Sequence, residues 1–458
     1  MMTIEKLRDL HPNLVYKAYS VKKTEAGLVV VYSYTLEPDI ELKSTFYFPR
    51  PQGVDITTID RFLFQLGVVE AISYWKAACP KELFVEAGQL SSTSTRFFED
   101  LFFHGLGEFY YINKIDFTVN DFFTIRSGGE GRKEPIAIDT KPTDLVLVGG
   151  GKDSSLLLSL LAKKSNRKIA PMVVNPSGAA LDTIRALSLK DPIVVTRVLD
   201  PKLQELNKNG YLNGHTPFSA LLSFIGSTVA ALYGYENVIV ANEQGANEGN
   251  VLYKGTEINH QYSKSLRYEN LFRAHIENEL TPSIAYFSAM RPFNDLQISK
   301  MFSQELQILP LFRSCNKARI SNGWCGNCAK CAFTYLTLFP FVSYETMMKI
   351  FGEDYFLKAT ILTFLRELVG IDAVKPFECV GTRDEAKLAL LFSLRLYKSI
   401  KRKIPEGLLL IKVEAGIKDQ DVNELSTRAF NHIDGNHNVP DEHATLLLSA
   451  WEKSQKEP

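Results

Sequence analysis

The chain has 458 residues, in which 52 Lys+Arg balance 52 Asp+Glu, 45% of residues are hydrophobic and 23% are charged. That length suits two or three domains that bury a core without a disulfide scaffold, and the composition excludes a disordered or fibrous chain. Zero net charge argues against a dominant nucleic-acid surface.

Residues 1–13 alternate charged and apolar side chains and lack the apolar core of a secretory signal, so a cytoplasmic location is expected. Residues 1–126 mix strand patterns at 28–34 and 42–48 with aromatic-rich helical stretches at 60–77 and 95–110, an N-terminal α+β domain with no chemical motif. Residues 127–140, dense in Gly, charge and Pro, read as a linker. From 141 to 305, short apolar runs (145–148, 169–174, 193–198, 238–241) alternate with helical ones (153–164, 181–190). Such alternation predicts an α/β domain around a parallel sheet, with its ligands at the carboxyl ends of the strands. The long uncharged run 216–235 has the length of a membrane span. However, Ser219, Ser223, Ser227 and Gly226 give it a face of small residues, and Thr216-Pro217 reads as N-cap and first helical residue. A helix packed on the sheet is therefore expected, with no membrane partner. Residues 306–458 read as a mainly helical C-terminal region with a cysteine cluster near its start.

The richest segment is Gly149-Gly150-Gly151-Lys152-Asp153-Ser154-Ser155, between a strand pattern and a helix pattern. Glycines there let successive N–H groups converge on an anion while the helix N-terminus adds positive potential, a cradle for phosphate. Asp153 stands where the Walker A motif needs Ser or Thr. A carboxylate inside such a loop either holds Mg²⁺ against phosphates or caps the helix. A second concentration of polar groups follows the strand pattern at 238–241: Asn242 and Glu243, then His260 and Lys264. At a strand terminus Glu243 suits a metal or a substrate ammonium, and His260 and Lys264 suit an anion or a moving proton. Four of the six cysteines fall in one short stretch, Cys315, Cys325, Cys328 and Cys331. That spacing reads as a metal site, structural Zn²⁺ foremost, with an iron-sulfur cluster and free buried thiols as alternatives. Cys79 and Cys379 read as ordinary buried cysteines.

The glycine loop resembles that of the PP-loop ATP pyrophosphatases, with Gly149 in place of the usual serine. Together with the cysteine cluster it resembles 7-cyano-7-deazaguanine synthase, which lacks so large an N-terminal region. A wider resemblance covers nearly the whole chain: the UDP-N-acetylmuramoyl-L-alanyl-L-glutamate epimerases of peptidoglycan-precursor synthesis. Its carriers are residues 149–155, 213–218, 241–243, 258–264, 324–331 and 375–382. The resemblance implies ATP and Mg²⁺ as cofactors and the UDP-N-acetylmuramoyl dipeptide as substrate. It implies adenylation of the terminal carboxylate, exchange of the L-Glu α-proton, and release of D-Glu product, AMP and pyrophosphate. On that basis the loop (Gly149, Gly150, Gly151, Lys152, Ser154, Ser155) and Asn242 bind nucleotide. Asp153, with Glu243, binds Mg²⁺, and His260 or Lys264 is the base or carboxylate anchor. The N-terminal domain is the expected seat of the UDP-sugar. The alternatives are a PP-loop ligase of the synthase type and a zinc-bearing nucleic-acid adaptor with a degenerate loop.

Overall fold

The computed structural model describes residues 2–49, 56–128 and 134–456, and residues 129–133 of the expected linker lie outside them. Ten strands form one sheet: β1 (Asn13–Lys23), β2 (Gly27–Leu36), β3 (Ile40–Pro49), β4 (Glu82–Val85), β5 (Thr124–Ser127), β6 (Lys141–Leu147), β7 (Lys168–Val174), β8 (Ile193–Val198), β9 (Tyr235–Val240) and β12 (Ala285–Ser288). The short β10 (Val251–Tyr253) and β11 (Thr256–Ile258) form a separate hairpin. The spatial order is β12-β9-β6-β7-β8-β3-β2-β1-β4-β5. Neighbours from β12 to β8 are parallel, β3 runs antiparallel to β8, β2 and β1 continue antiparallel, and β4 and β5 are again parallel.

The parallel half is apolar on both faces, as a sheet covered by helices on both sides must be. Leu145 and Leu147 of β6 join one core with Met172 and Val238, while Val146 and Val148 join a second with Val173 and Ile239. The helix Phe218–Tyr233 packs on the first of these faces. A Cβ on Gly226 would lie 2.9 Å from Val238 Cγ1, so the small residue sets how closely helix and sheet approach. That helix starts one residue later than expected, with Pro217 at the cap position. Among the described residues no helix is long and apolar enough to cross a membrane.

Several elements differ from the sequence expectation. The stretch 60–77 is two helices, Asp60–Glu70 and Ile72–Ala78, and 95–110 is also two, Ser92–Gly105 and Gly107–Ile112. The helix expected at 181–190 is Gly178–Ala186, moved towards the N-terminus because Ser177 caps it by accepting from the Ala180 amide. Strands β1, β4, β5 and β12 carried no recognised pattern. The alternation of β1 is broken by a register shift between Tyr16 and Ala18, and the other three have four residues each. Beyond residue 305 the regular elements are all helical, as expected.

Candidate active site

Gly149, Gly150 and Gly151 turn the chain from β6 into the helix Lys152–Lys164. Gly150 has φ +85°, and a Cβ there would lie 2.6 Å from the Ala180 nitrogen, so conformation and close approach both demand glycine. The loop is braced from outside. Ser177 Oγ donates to the Gly149 carbonyl (3.3 Å), the Arg313 amide donates to the Gly150 carbonyl (2.8 Å), and Ser314 Oγ accepts from the Lys152 amide (3.2 Å). Ser154 Oγ accepts from the Gly149 amide at 3.2 Å, inside the turn. Ser155 instead turns away, buried 3.4 Å from Thr183 Oγ1. The helix is capped by Gly151 without a side-chain bond, and while Ser314 takes the Lys152 amide, those of Asp153 and Ser154 and the positive end of the helix face an anion. Asp153 is the second helical residue and does not cap the helix; its carboxylate pairs with Lys152.

Behind the loop, Lys152 Nζ is buried between Asp153 (2.7 Å) and Asp295 (2.6 Å). Burial alone would lower the Lys152 pKa, but the two carboxylates raise it above the usual lysine value. Asp295 opens the helix Asp295–Ser303, which Asn294 and Gln297 cap reciprocally, and its amide donates to Glu385 (2.5 Å). Glu243 lies just past β9 and is 5% exposed. Its carboxylate accepts from the Gly245 amide. Burial, then the charges of Asp295, Glu385 and Asp153, push the Glu243 pKa well above the usual carboxyl range. Glu385 is pushed up to about 7 by burial and by Asp295. The Asn242 carbonyl accepts from Ser288 Oγ (2.6 Å). Arg291, fully buried, donates to the Glu243 carbonyl (2.7 Å) and to that of Lys264, which ties the two loops together.

Residues 375–380 dock against those loops: Asn250 Nδ2 donates to the Pro376 carbonyl (2.7 Å) and Gln261 Nε2 to the Val380 carbonyl (3.0 Å). Cys379 is thereby set between two cations. Lys264 Nζ donates to its Sγ at 3.0 Å, and His260 Nε2 lies 3.9 Å from the same sulfur. His260 Nδ1 donates to Glu108, whose carboxylate is also 3.4 Å from His215 Nδ1. Burial would raise the Cys379 pKa, but the Lys264 ammonium and His260 bring it well below the usual thiol value. Burial likewise opposes charge on His260, yet its bonds to Cys379 and Glu108 raise its pKa to about 9. Against burial, Cys379 raises Lys264. Burial, then the charge of His260, drives His215 down to about 2. Cys79 is fully buried, as expected. Cys379 departs from that expectation, being partly exposed and held between cations. The N-terminal region also contributes chemistry after all, through Glu108 from the helix Gly107–Ile112.

Cys315, Cys325, Cys328 and Cys331 place one sulfur each within 4.8 Å of the others and can hold a metal ion. Cys325 and Cys331 Sγ are 3.7 Å apart, and four thiolates at about 2.3 Å from a tetrahedral ion sit about 3.8 Å from one another. Backbone amides of Ala318, Asn327 and Cys331 donate to the sulfurs of Cys315, Cys325 and Cys328, which offsets thiolate charge. Glu108, His215 and His260 also bring donor atoms together, with His260 Nδ1 bonded to the Glu108 carboxylate. The cysteine segment braces two other parts of the site. Arg313 and Ser314 hold the glycine loop, while Asn316 Nδ2 donates to Glu378 (2.8 Å) and Lys330 Nζ to the Cys379 carbonyl.

The structure gathers the loop, Asn242, Glu243, His260 and Lys264, singled out in the sequence, at one end of the sheet beside the cysteine cluster. It sets Glu108, His215, Arg291, Asp295, Cys379 and Glu385, which the sequence reading did not single out, among them. The signals were faint: His215 and Cys379 lie inside segments that carried the family resemblance, and Asp295 follows a capping Asn.

Fold and site together define a mixed α/β protein whose polar groups converge where parallel strands end, beside a cysteine cluster. The chain belongs to the MurL family: the model of the MurL N-terminal domain matches residues 6–289 and that of the MurL C-terminal domain residues 311–404. Among curated relatives, UDP-N-acetyl-alpha-D-muramoyl-L-alanyl-L-glutamate epimerases from Micromonospora sp. and Salinispora tropica are each 33% identical over 400 residues. Those matches cover 85% of this chain and 88% and 86% of the relatives. The protein of the same name from Xanthomonas oryzae pv. oryzae is 29% identical over 427 residues, 90% of this chain and 91% of its own. No solved structure gives a significant match.

Proposed function

We propose that the protein is an isomerase that uses ATP to epimerise the terminal L-Glu of UDP-N-acetylmuramoyl-L-Ala-L-Glu, a step of peptidoglycan-precursor synthesis in the cytoplasm. The carrying observation is the row of groups at the carboxyl end of the sheet: an anion-receptive glycine turn, then a buried acidic cluster, then Lys264, His260 and Cys379. The names of the relatives supply the substrate.

The chemistry begins with acidity. An α-proton beside a carboxylate is hard to remove because the resulting anion stacks charge on charge. Attack of the terminal carboxylate on the α-phosphorus of ATP releases pyrophosphate and leaves a mixed anhydride with an uncharged acyl group, whose carbonyl accepts charge as an enolate. On the PP-loop assignment, the turn from Gly149 to Gly151, Ser154 Oγ and the amides of Asp153 and Ser154 bind the pyrophosphate oxygens. Gly150 is needed there because a Cβ would meet the Ala180 backbone. The donor set fits Mg²⁺: Asp153 and Asp295 flank Lys152, and Glu243 and Glu385, raised first by burial, are raised further by the charge of Asp295. Bound there through Asp153 and Glu243, Mg²⁺ supplies charge neutralisation for the phosphates. Lys264 and His260, both cationic, draw the substrate carboxyl towards Cys379. Removal of the α-proton and reprotonation from the other face give the D centre, and hydrolysis of the anhydride releases AMP. The four cysteines fit zinc by sulfur spacing and by their amide donors, and a closed thiolate shell is structural.

Incubation of the zinc-loaded protein with ATP, Mg²⁺ and UDP-N-acetylmuramoyl-L-Ala-L-Glu, then hydrolysis and chiral chromatography, tests the proposal. D-Glu and AMP are expected in step with one another. A folded, metal-replete protein that forms no D-Glu refutes it.

A further inference from the structure

Which group takes the α-proton is the open point of the proposed reaction. His260 and Lys264 stand nearest the expected role, but both carry their protons at neutral pH: His260 is raised to about 9 against burial by Cys379 and Glu108, and Lys264 is raised against burial by Cys379. Neither offers a free electron pair. The sulfur between them does. Cys379 Sγ accepts from Lys264 Nζ at 3.0 Å and lies 3.9 Å from His260 Nε2. Its backbone is fixed by Lys330 on its carbonyl, and the next carbonyl, that of Val380, accepts from Gln261. The residue is partly exposed, unlike Cys79, which is wholly buried. The Cys379–His260–Glu108 chain has the form of a reactive sulfur, an imidazole and an orienting carboxylate.

We infer that Cys379 is the catalytic base, its thiolate removing the α-proton of the terminal Glu in the reaction proposed above, on which this inference rests. An S–H bond forms as the Cα–H bond breaks, and the released electron pair moves into the acyl carbonyl as the enolate. A proton from water completes the opposite face. The hydroxide left by that water takes the proton from the thiol, which restores the thiolate. Lys264 and His260 act as positioning residues that hold the sulfur anionic, and Glu108 holds the imidazole in orientation.

Two readouts separate this inference from the reaction class. Substrate-dependent exchange of labelled pyrophosphate into ATP reads adenylation, and deuterium uptake at the Glu α-carbon in D₂O reads proton transfer. Cys379→Ala and Cys379→Ser in the full, zinc-loaded chain should keep pyrophosphate exchange within about threefold and lose α-deuterium uptake by about 10²-fold or more. Native alkylation with iodoacetamide covers the case of a misfolded variant. Cys379 should be the first site labelled at pH 7, ATP with substrate should protect it, and deuterium uptake should fall in proportion to the label. Variant proteins, or Cys379-labelled protein, that take up deuterium at the wild-type rate overturn the inference and leave the epimerase reading intact. Wild-type protein that exchanges pyrophosphate yet takes up no α-deuterium overturns both.

Discussion

Glu385 shows what the acidic cluster demands of single residues. Its folded pKa, about 7, lies above the usual carboxyl value because burial and the charge of Asp295 disfavour ionisation. A carboxyl raised in this way contributes stability that is full below its unfolded pKa and is lost as pH rises through the folded one. In EDTA, wild-type stability should therefore fall between pH 5 and 8 relative to Glu385→Gln, by on the order of 1 kcal/mol or more. Urea denaturation of both proteins across that range measures it, and parallel curves would place the charge elsewhere. Its neighbours show the complementary case. Lys152 keeps Asp153 ionised against burial, so one carboxylate of the cluster stays charged while Glu243 is pushed towards its neutral form.

At the scale of elements, the helix Ala329–Leu338 and the cysteine cluster share a residue. Cys328 caps that helix, its Sγ accepting from the Cys331 amide (3.3 Å). Serine is a good cap, so Cys328→Ser keeps the hydrogen bond and removes only a thiolate. If the cluster binds zinc, the variant should bind less than one zinc per chain and melt at a lower temperature, with a loss of several kcal/mol, whereas a cluster of plain buried thiols would leave metal content at zero in both. The same contrast explains what could be read from sequence. The cysteine cluster and the glycine loop are local: their members lie within a few residues, and spacing alone carries the geometry. The alternation of β6, β7 and β9 was legible for the same reason. Cys379 and Glu108 acquire their roles only when residues 119 and 152 positions apart meet at His260, and no local pattern records that meeting. Strands of four residues, such as β4 and β12, are too short for periodicity to separate from chance.

At the scale of the molecule, one sheet runs from β12 to β5 through the antiparallel seam of β3 and β8. The seam is fastened by Arg197 of β8. It donates to Glu70 of the helix Asp60–Glu70 through Nε and Nη2 (both 3.0 Å) and to Ser73 Oγ (2.7 Å). Glu70 is fully buried, and burial raises its pKa despite Arg197. Removing the guanidinium by Arg197→Met strands that carboxylate, with an expected cost of about 3–5 kcal/mol. Adding Glu70→Gln should recover much of it, a coupling that a double-mutant cycle by denaturation reads directly. If the two losses simply add, the seam is held by packing instead.

Asp144, midway along β6, is fully buried and bonded to Arg167, Asn237 and His443, each at 2.8 Å. His443 lies on the helix Asp441–Lys456, 299 positions later. At a translation rate of about 5–20 residues per second, Asp144 leaves the ribosome some 15–60 s before the histidine that completes its coordination of hydrogen bonds. The central strand of the parallel half is therefore born before its last partner, and the nascent chain spends that interval with an unfinished floor beneath its site.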